Sequence, residues 1–299
     1  MTYRLFILLM VFGTAGYSQT SEKYDLYYIA IGSSHYIDNE MIDTTDQRKS
    51  IFRNIQGANK SAKTVRDLLR RKSPSAKGIV LNSEEDMLIS RKEIMGSVDS
   101  LRRIFQPKKS RHPFLVFYYC GHGISEVASN LRFLIPGNMV GDVSKMHVDE
   151  KKSNAVCVND LYDSITQLDI PFILILDCCA DKEMEYYEGM SEVFTGTAIN
   201  NLEGILDVMK AWFMLQGDYP VICSAGLGES TFTVQDPNNE GSIINIGPVC
   251  RRMLLTARYS TGNTLPGYVK HLVNLQDNAT HKPVVLCDEK LLRYKRRLW

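Results

Sequence analysis

Phe114-Leu115-Val116-Phe117-Tyr118-Tyr119-Cys120-Gly121-His122-Gly123 and Phe172-Ile173-Leu174-Ile175-Leu176-Asp177-Cys178-Cys179 are the two stretches that decide the fold. Each is a short apolar run without polar alternation, the pattern of a strand buried on both faces. Each stops at a reactive residue: a histidine between two glycines, and a cysteine behind an aspartate. Chemistry at the C-terminal ends of buried strands is the site arrangement of open α/β sheets. A thiol and an imidazole brought together there suffice for nucleophilic acyl transfer.

Outward from these runs, strands and helices alternate. Asp25 to Gly32 reads as a first strand, and Ala58, Ala62, Val65, Leu68 and Leu69 mark an amphipathic helix. Lys77 to Asn82 reads as a second strand. Ser90 and Glu93 form a capping box ahead of the stripe Ile94, Val98, Leu101 and Ile104. Pro113 to Tyr119 is the third strand, and Leu131 to Pro136 a short hairpin arm. Asn159 is expected to cap a helix carrying Leu161, Ile165 and Leu168, before a fourth strand from Pro171 to Leu176. A helix is expected over Leu202 to Leu215 and a fifth strand over Pro220 to Ala225. Helices are expected over Pro248 to Ala257 and Leu265 to Leu275, and a final strand over Pro283 to Cys287. This alternation implies a mostly parallel sheet covered on both faces.

The chain has 299 residues, 44% of them hydrophobic and 23% charged, enough for a full-sized core. Its net charge of +1 gives no reason to expect nucleic acid. The charge is uneven, however: Glu183 to Cys250 holds ten acidic residues against Lys210 alone. The last ten residues hold five basic residues and no acidic one, as a solvated face also would. Arg4, the apolar run Leu5 to Phe12, and the small residues Gly16 and Ser18 read as an export signal cleaved before Gln19. Residues 1–18 are thus expected to leave a domain of residues 19–299, periplasmic or secreted, with no stable membrane insertion. Seven cysteines is an odd number for an exported chain, and a catalytic thiol accounts for it. No Cys/His spacing suits zinc.

Tyr119-Cys120-Gly121-His122-Gly123 and Asp177-Cys178-Cys179 together resemble the caspase-like clan of cysteine peptidases, which includes caspases, metacaspases and their bacterial relatives. The resemblance covers most of residues 24–290. Leu134-Ile135-Pro136 is similar to the segment after the histidine loop, Val158-Asn159-Asp160-Leu161 to the next helix start, and Ser224-Ala225 to one wall of the substrate cleft. It implies an α/β, caspase-like three-layer sandwich and a cysteine endopeptidase acting on proteins or peptides without a cofactor. Cys179 then matches the nucleophile, His122 the base, and the backbone N–H groups of Gly123 and Cys179 the oxyanion hole. Asp177 and Ser224 match substrate-binding positions. A carboxylate at Asp177 implies preference for Arg or Lys before the scissile bond, and the acidic stretch agrees with it. The residues alone leave a second reading, in which Asp177 accepts backbone N–H bonds at its turn.

The departures are specific. Cys120 stands where the clan usually has serine, Ala180-Asp181 follows the nucleophile, and Gly226-Leu227-Gly228-Glu229 lacks the second aspartate of many metacaspases. Asp142, Asp149 and Glu150 are too scattered for the calcium site that some metacaspases use, so no metal is expected. Three other readings stay open: a catalytically silent scaffold domain of this fold, an esterase, and a peptide ligase using the same dyad. A Rossmann-type nucleotide enzyme shares the alternation, but the chain has no G-x-G-x-x-G after its first strand and no P-loop. Monomer and dimer are equally compatible with the sheet.

Overall fold

The computed structural model describes residues 24–37, 52, 54–84, 87–105, 112–126, 131–141, 146–179, 181–182, 219–225, 233–238, 245–259, 265–277, 280 and 283–286. The export signal, the helix expected over Leu202 to Leu215, Gly226 to Glu229 and most of the acidic stretch lie outside them.

The elements follow the alternation. They are β1 (Asp25–Gly32), α1 (Ala58–Lys72), β2 (Lys77–Asn82), α2 (Arg91–Ile104), β3 (Pro113–Cys120), β4 (Gly123–Glu126), β5 (Leu131–Leu134), α3 (Val148–Asn154), β6 (Val156–Cys157) and α4 (Val158–Thr166). Then come β7 (Phe172–Asp177), β8 (Asp181–Lys182), β9 (Val221–Cys223), β10 (Val234–Gln235), β11 (Asn245–Ile246), α5 (Pro248–Tyr259), α6 (Leu265–Asn274) and β12 (Val284–Leu286).

The central sheet has six strands in the order β12-β9-β7-β3-β1-β2. Five of them are parallel, and β12 closes one edge antiparallel to β9. Alternate residues of each strand enter opposite cores, as the pleat requires. Tyr28, Val116, Tyr118 and Ile175 pack with α1, α5 and α6 on one face. Ile29, Leu115, Phe117, Tyr119 and Leu174 pack with α2 and α4 on the other. The architecture is therefore α/β, with helices on both sides of a mostly parallel sheet.

Strand order reverses between β1 and β3, since β2 lies outside β1 while β7 and β9 continue beyond β3. That is a topological switch point, where open α/β sheets leave a crevice at their C-terminal edge. A smaller sheet, β6-β5-β4-β8, stands over this edge. Beneath it Tyr36, Phe52, Ile124, Phe133 and Ile135 form a third apolar cluster.

Two local expectations change. Helix α4 begins at Val158 with Cys157 as its N-cap, so Asn159 lies in the first turn. Val156 and Cys157 are drawn into β6 by pairing with β5, and the helix starts two residues earlier than expected. Helix α3 has no counterpart in the hydrophobic pattern, because its only buried residue is Lys151. That ammonium is 1% exposed and donates to Glu126 Oε1 at 3.0 Å. The capping box on α2 forms as expected, with Ser90 Oγ accepting from Glu93 N and the Glu93 carboxylate accepting from Ser90 N.

Candidate active site

β3 and β7 are parallel neighbours, and Cys120 pairs with Asp177 at their C-terminal ends. His122 and Cys179 each lie two residues beyond that pair. The strands are adjacent, so the two turns leave the sheet side by side, at roughly the 5 Å strand spacing.

Gly123 brings them into contact. A Cβ on Gly123 would lie 2.5 Å from the Cys179 carbonyl oxygen and 2.8 Å from Cys178 Sγ. Only a residue without a side chain allows this approach. The contact continues downstream, where Ile124 of β4 pairs in parallel with Asp181 of β8. On the other side of β4, Ile135 N donates to His122 O at 3.0 Å. Peptide groups alternate along a strand, so the Gly123 N–H lies on the edge facing β8 and the cysteine turn.

Cys179 is half-buried, whereas Cys178 is buried. Burial pushes the Cys178 thiol well above its ordinary pKa, which keeps it protonated and unreactive. Both cysteines are free, so no vicinal disulfide bridges them. Burial likewise raises the thiols of Cys120, Cys223 and Cys250.

His122 is half-buried and gripped through its backbone. Its N–H donates to Tyr36 Oη at 2.7 Å. Tyr119 Oη shares its one proton between the Ile135 carbonyl at 2.8 Å and the His122 carbonyl at 3.1 Å. The imidazole meets the Tyr36 ring edge-to-face at 4.7 Å and a tilted Phe52 ring at 5.1 Å.

Asp177 and Ser224 have contacts of another kind. Asp177 is 3% exposed. Its Oδ1 accepts from Val249 N at 3.2 Å, and its Oδ2 from Cys250 N at 3.0 Å and from Tyr118 Oη at 2.9 Å. A Cβ on Gly247 would collide with the same carboxylate. Asp177 thus caps the N-terminus of α5, where backbone N–H groups and the helix dipole favour an anion. Burial outweighs these bonds and raises its pKa to about 6. Of the two sequence readings, these contacts match the acceptor of backbone N–H bonds, with the donors on a helix rather than at the turn. Ser224 is buried, and its hydroxyl donates to the Cys178 carbonyl at 3.2 Å.

Sequence reasoning missed Tyr36, Phe52 and Arg132. Arg132 of β5 is buried, and it donates to the Ala225 carbonyl at 3.2 Å, which ties the end of β9 to the smaller sheet. Its charge also reaches the thiols of Cys178 and Cys223. The signal available was an arginine at an otherwise apolar strand position, which in a buried strand needs a partner. Among the described residues no group of three or more His, Cys, Asp or Glu is placed to hold a metal ion. None of their helices is long and apolar enough to cross a membrane.

No family model matches this chain. No curated protein matches it. Among solved structures it is similar to the crystal structure of caspase-1 from Spodoptera frugiperda, with 9% sequence identity over 89% of this chain and 87% of that chain, at a TM-score of 0.47.

Proposed function

We propose that this chain is an exported cysteine endopeptidase built on a Cys179–His122 dyad. The observation that carries the reading is the packing of Gly123 against the Cys179 carbonyl, at the ends of two neighbouring strands. In this reading His122 takes the thiol proton, and the Cys179 thiolate attacks the scissile carbonyl. The N–H groups of Gly123 and Cys179 receive the developing oxyanion. Collapse of the tetrahedral intermediate expels the amine, which takes its proton from His122. Water, deprotonated by His122, then cleaves the thioester and frees the thiol.

The reading includes a preference for Arg or Lys before the cleaved bond. Its support is the ten-to-one acidic balance between Glu183 and Cys250, which attracts cationic peptides. Asp177 contributes a negative charge from behind the nucleophile turn, since its oxygens are bound to α5 and Tyr118.

The test uses the chain from Gln19 and its Cys179→Ala variant on a peptide library varied before the scissile bond, with and without calcium. Cleavage after Arg or Lys, abolished in the variant, is the expected result. Cleavage after another residue would keep the dyad and remove the preference. Equal cleavage by both chains would overturn the assignment of Cys179.

A further inference from the structure

We infer that Tyr36 and Phe52 form an aromatic cradle that positions the His122 imidazole, so that Tyr36 is a positioning residue of the dyad. The inference deepens the proposed function and rests on it. A histidine serving a neighbouring thiol must hold one rotamer while protons move on and off its ring, and displacement by an ångström costs about 100-fold in rate. The Gly121-His122-Gly123 loop has no bulky neighbours of its own to impose that rotamer. The cradle supplies them from a distant part of the chain.

Tyr36 acts twice. Its hydroxyl accepts the His122 backbone N–H at 2.7 Å, and its ring meets the imidazole at 4.7 Å. Phe52 adds a second ring at 5.1 Å and packs against Tyr36 at 6.3 Å. Both aromatics are almost fully buried, Tyr36 at 5% and Phe52 at 8% exposure, in the cluster under the smaller sheet.

The cradle is itself held. Tyr36 N donates to Asn54 Oδ1 at 2.8 Å, Ile37 N to the Gly137 carbonyl at 2.7 Å, and Ile55 N to the Ser34 carbonyl at 2.8 Å. Gly121 makes room for it, since a Cβ there would lie 2.5 Å from Tyr119 Oη and 2.8 Å from Tyr36 Oη. The two glycines of the loop therefore divide their work. Gly121 admits the tyrosine hydroxyls that fix the histidine backbone, and Gly123 admits the cysteine turn.

The experiment compares Tyr36→Phe, Tyr36→Leu and Phe52→Leu in the full chain. One readout is kcat and KM on the best library peptide. The other is the NMR shift of the His122 ring protons, assigned by their loss in His122→Gln. Tyr36→Leu and Phe52→Leu are expected to lower kcat by roughly 10- to 100-fold with KM nearly unchanged, since the rings touch the base and not the substrate. The ring protons should move from their ring-current-shifted position toward that of free histidine. Tyr36→Phe keeps the ring and should recover most of that shift and part of kcat. Should Tyr36→Leu fail to fold, the other two variants carry the test.

Unchanged kcat and unchanged ring shifts in folded variants would overturn the cradle, as would a loss expressed wholly in KM. Ring-current-shifted His122 protons in a wild-type chain that cleaves no peptide would overturn the peptidase and leave the cradle standing.

Discussion

Asp177 holds a carboxylate where water cannot reach it, and the cost shows in its pKa of about 6. An aspartate is ordinarily at 3.8, so between those values the folded chain binds a proton that the unfolded chain releases. Stability then falls as pH rises from about 4 through 6 and levels off above, because the unfolded state binds fewer protons across that window. Asp177→Asn has no such proton. Urea denaturation of both chains from pH 4 to 8 should show wild type losing ground against the variant up to about pH 6, then running parallel to it. Curves parallel from pH 4 onward would mean that Asp177 titrates as in the open chain. The sequence reads Asp177 either as a specificity residue or as an acceptor of backbone N–H bonds at its turn; the acceptor role is legible there and its donors are not, since Val249 and Cys250 lie over seventy positions away in the chain.

At the scale of elements, the site depends on β4 and β8 running side by side after leaving the main sheet. Gly123→Ala places a methyl 2.5 Å from a backbone carbonyl, which cannot rotate away as a flexible side chain would. The strands must separate, and the proposed oxyanion N–H moves with them. Losing one such donor costs about 100- to 1000-fold in kcat, so activity on the library peptide should fall at least that far. Ser90→Ala, which removes a hydroxyl bonded to Glu93 within the capping box of α2, is the control. It should cost about 1 kcal/mol of stability by urea titration and leave kcat alone. The long elements were readable, because their apolar period survives without knowledge of what they touch. The smaller sheet was only partly so. Leu131 to Pro136 reads as a hairpin arm, of which β5 takes Leu131–Leu134, but β6 and β8 have two residues each, too short for any period. Helix α3 was hidden by its charge, since its one buried position is a lysine paired with Glu126.

Across the whole molecule, the sheet sorts equivalent chemical groups into inert and accessible ones. Two unbroken apolar runs foretold that a histidine and a cysteine would stand at strand ends, and the register places them at one level. No pattern in the sequence said that Tyr36, eighty-six positions before His122, would meet it, because a loop contact has no period to read. The same architecture bears on the thiols. Cys120 ends β3, Cys223 ends β9, Cys250 opens α5 and Cys157 caps α4, so all four lie within the layers, and Cys178 points into the core beneath its own turn. Cys179 alone among the described thiols is half-buried. Alkylation needs both access and thiolate, and burial denies the other five one or both. A brief iodoacetamide pulse at pH 7, followed by peptide mass mapping, should therefore modify Cys179 and leave Cys120, Cys157, Cys178, Cys223 and Cys250 untouched until urea opens the fold. Labelling should also slow in His122→Gln, since the imidazole is the group proposed to draw off the proton. Labelling of Cys178 in preference to Cys179 in the native chain would place the reactive thiol one residue earlier.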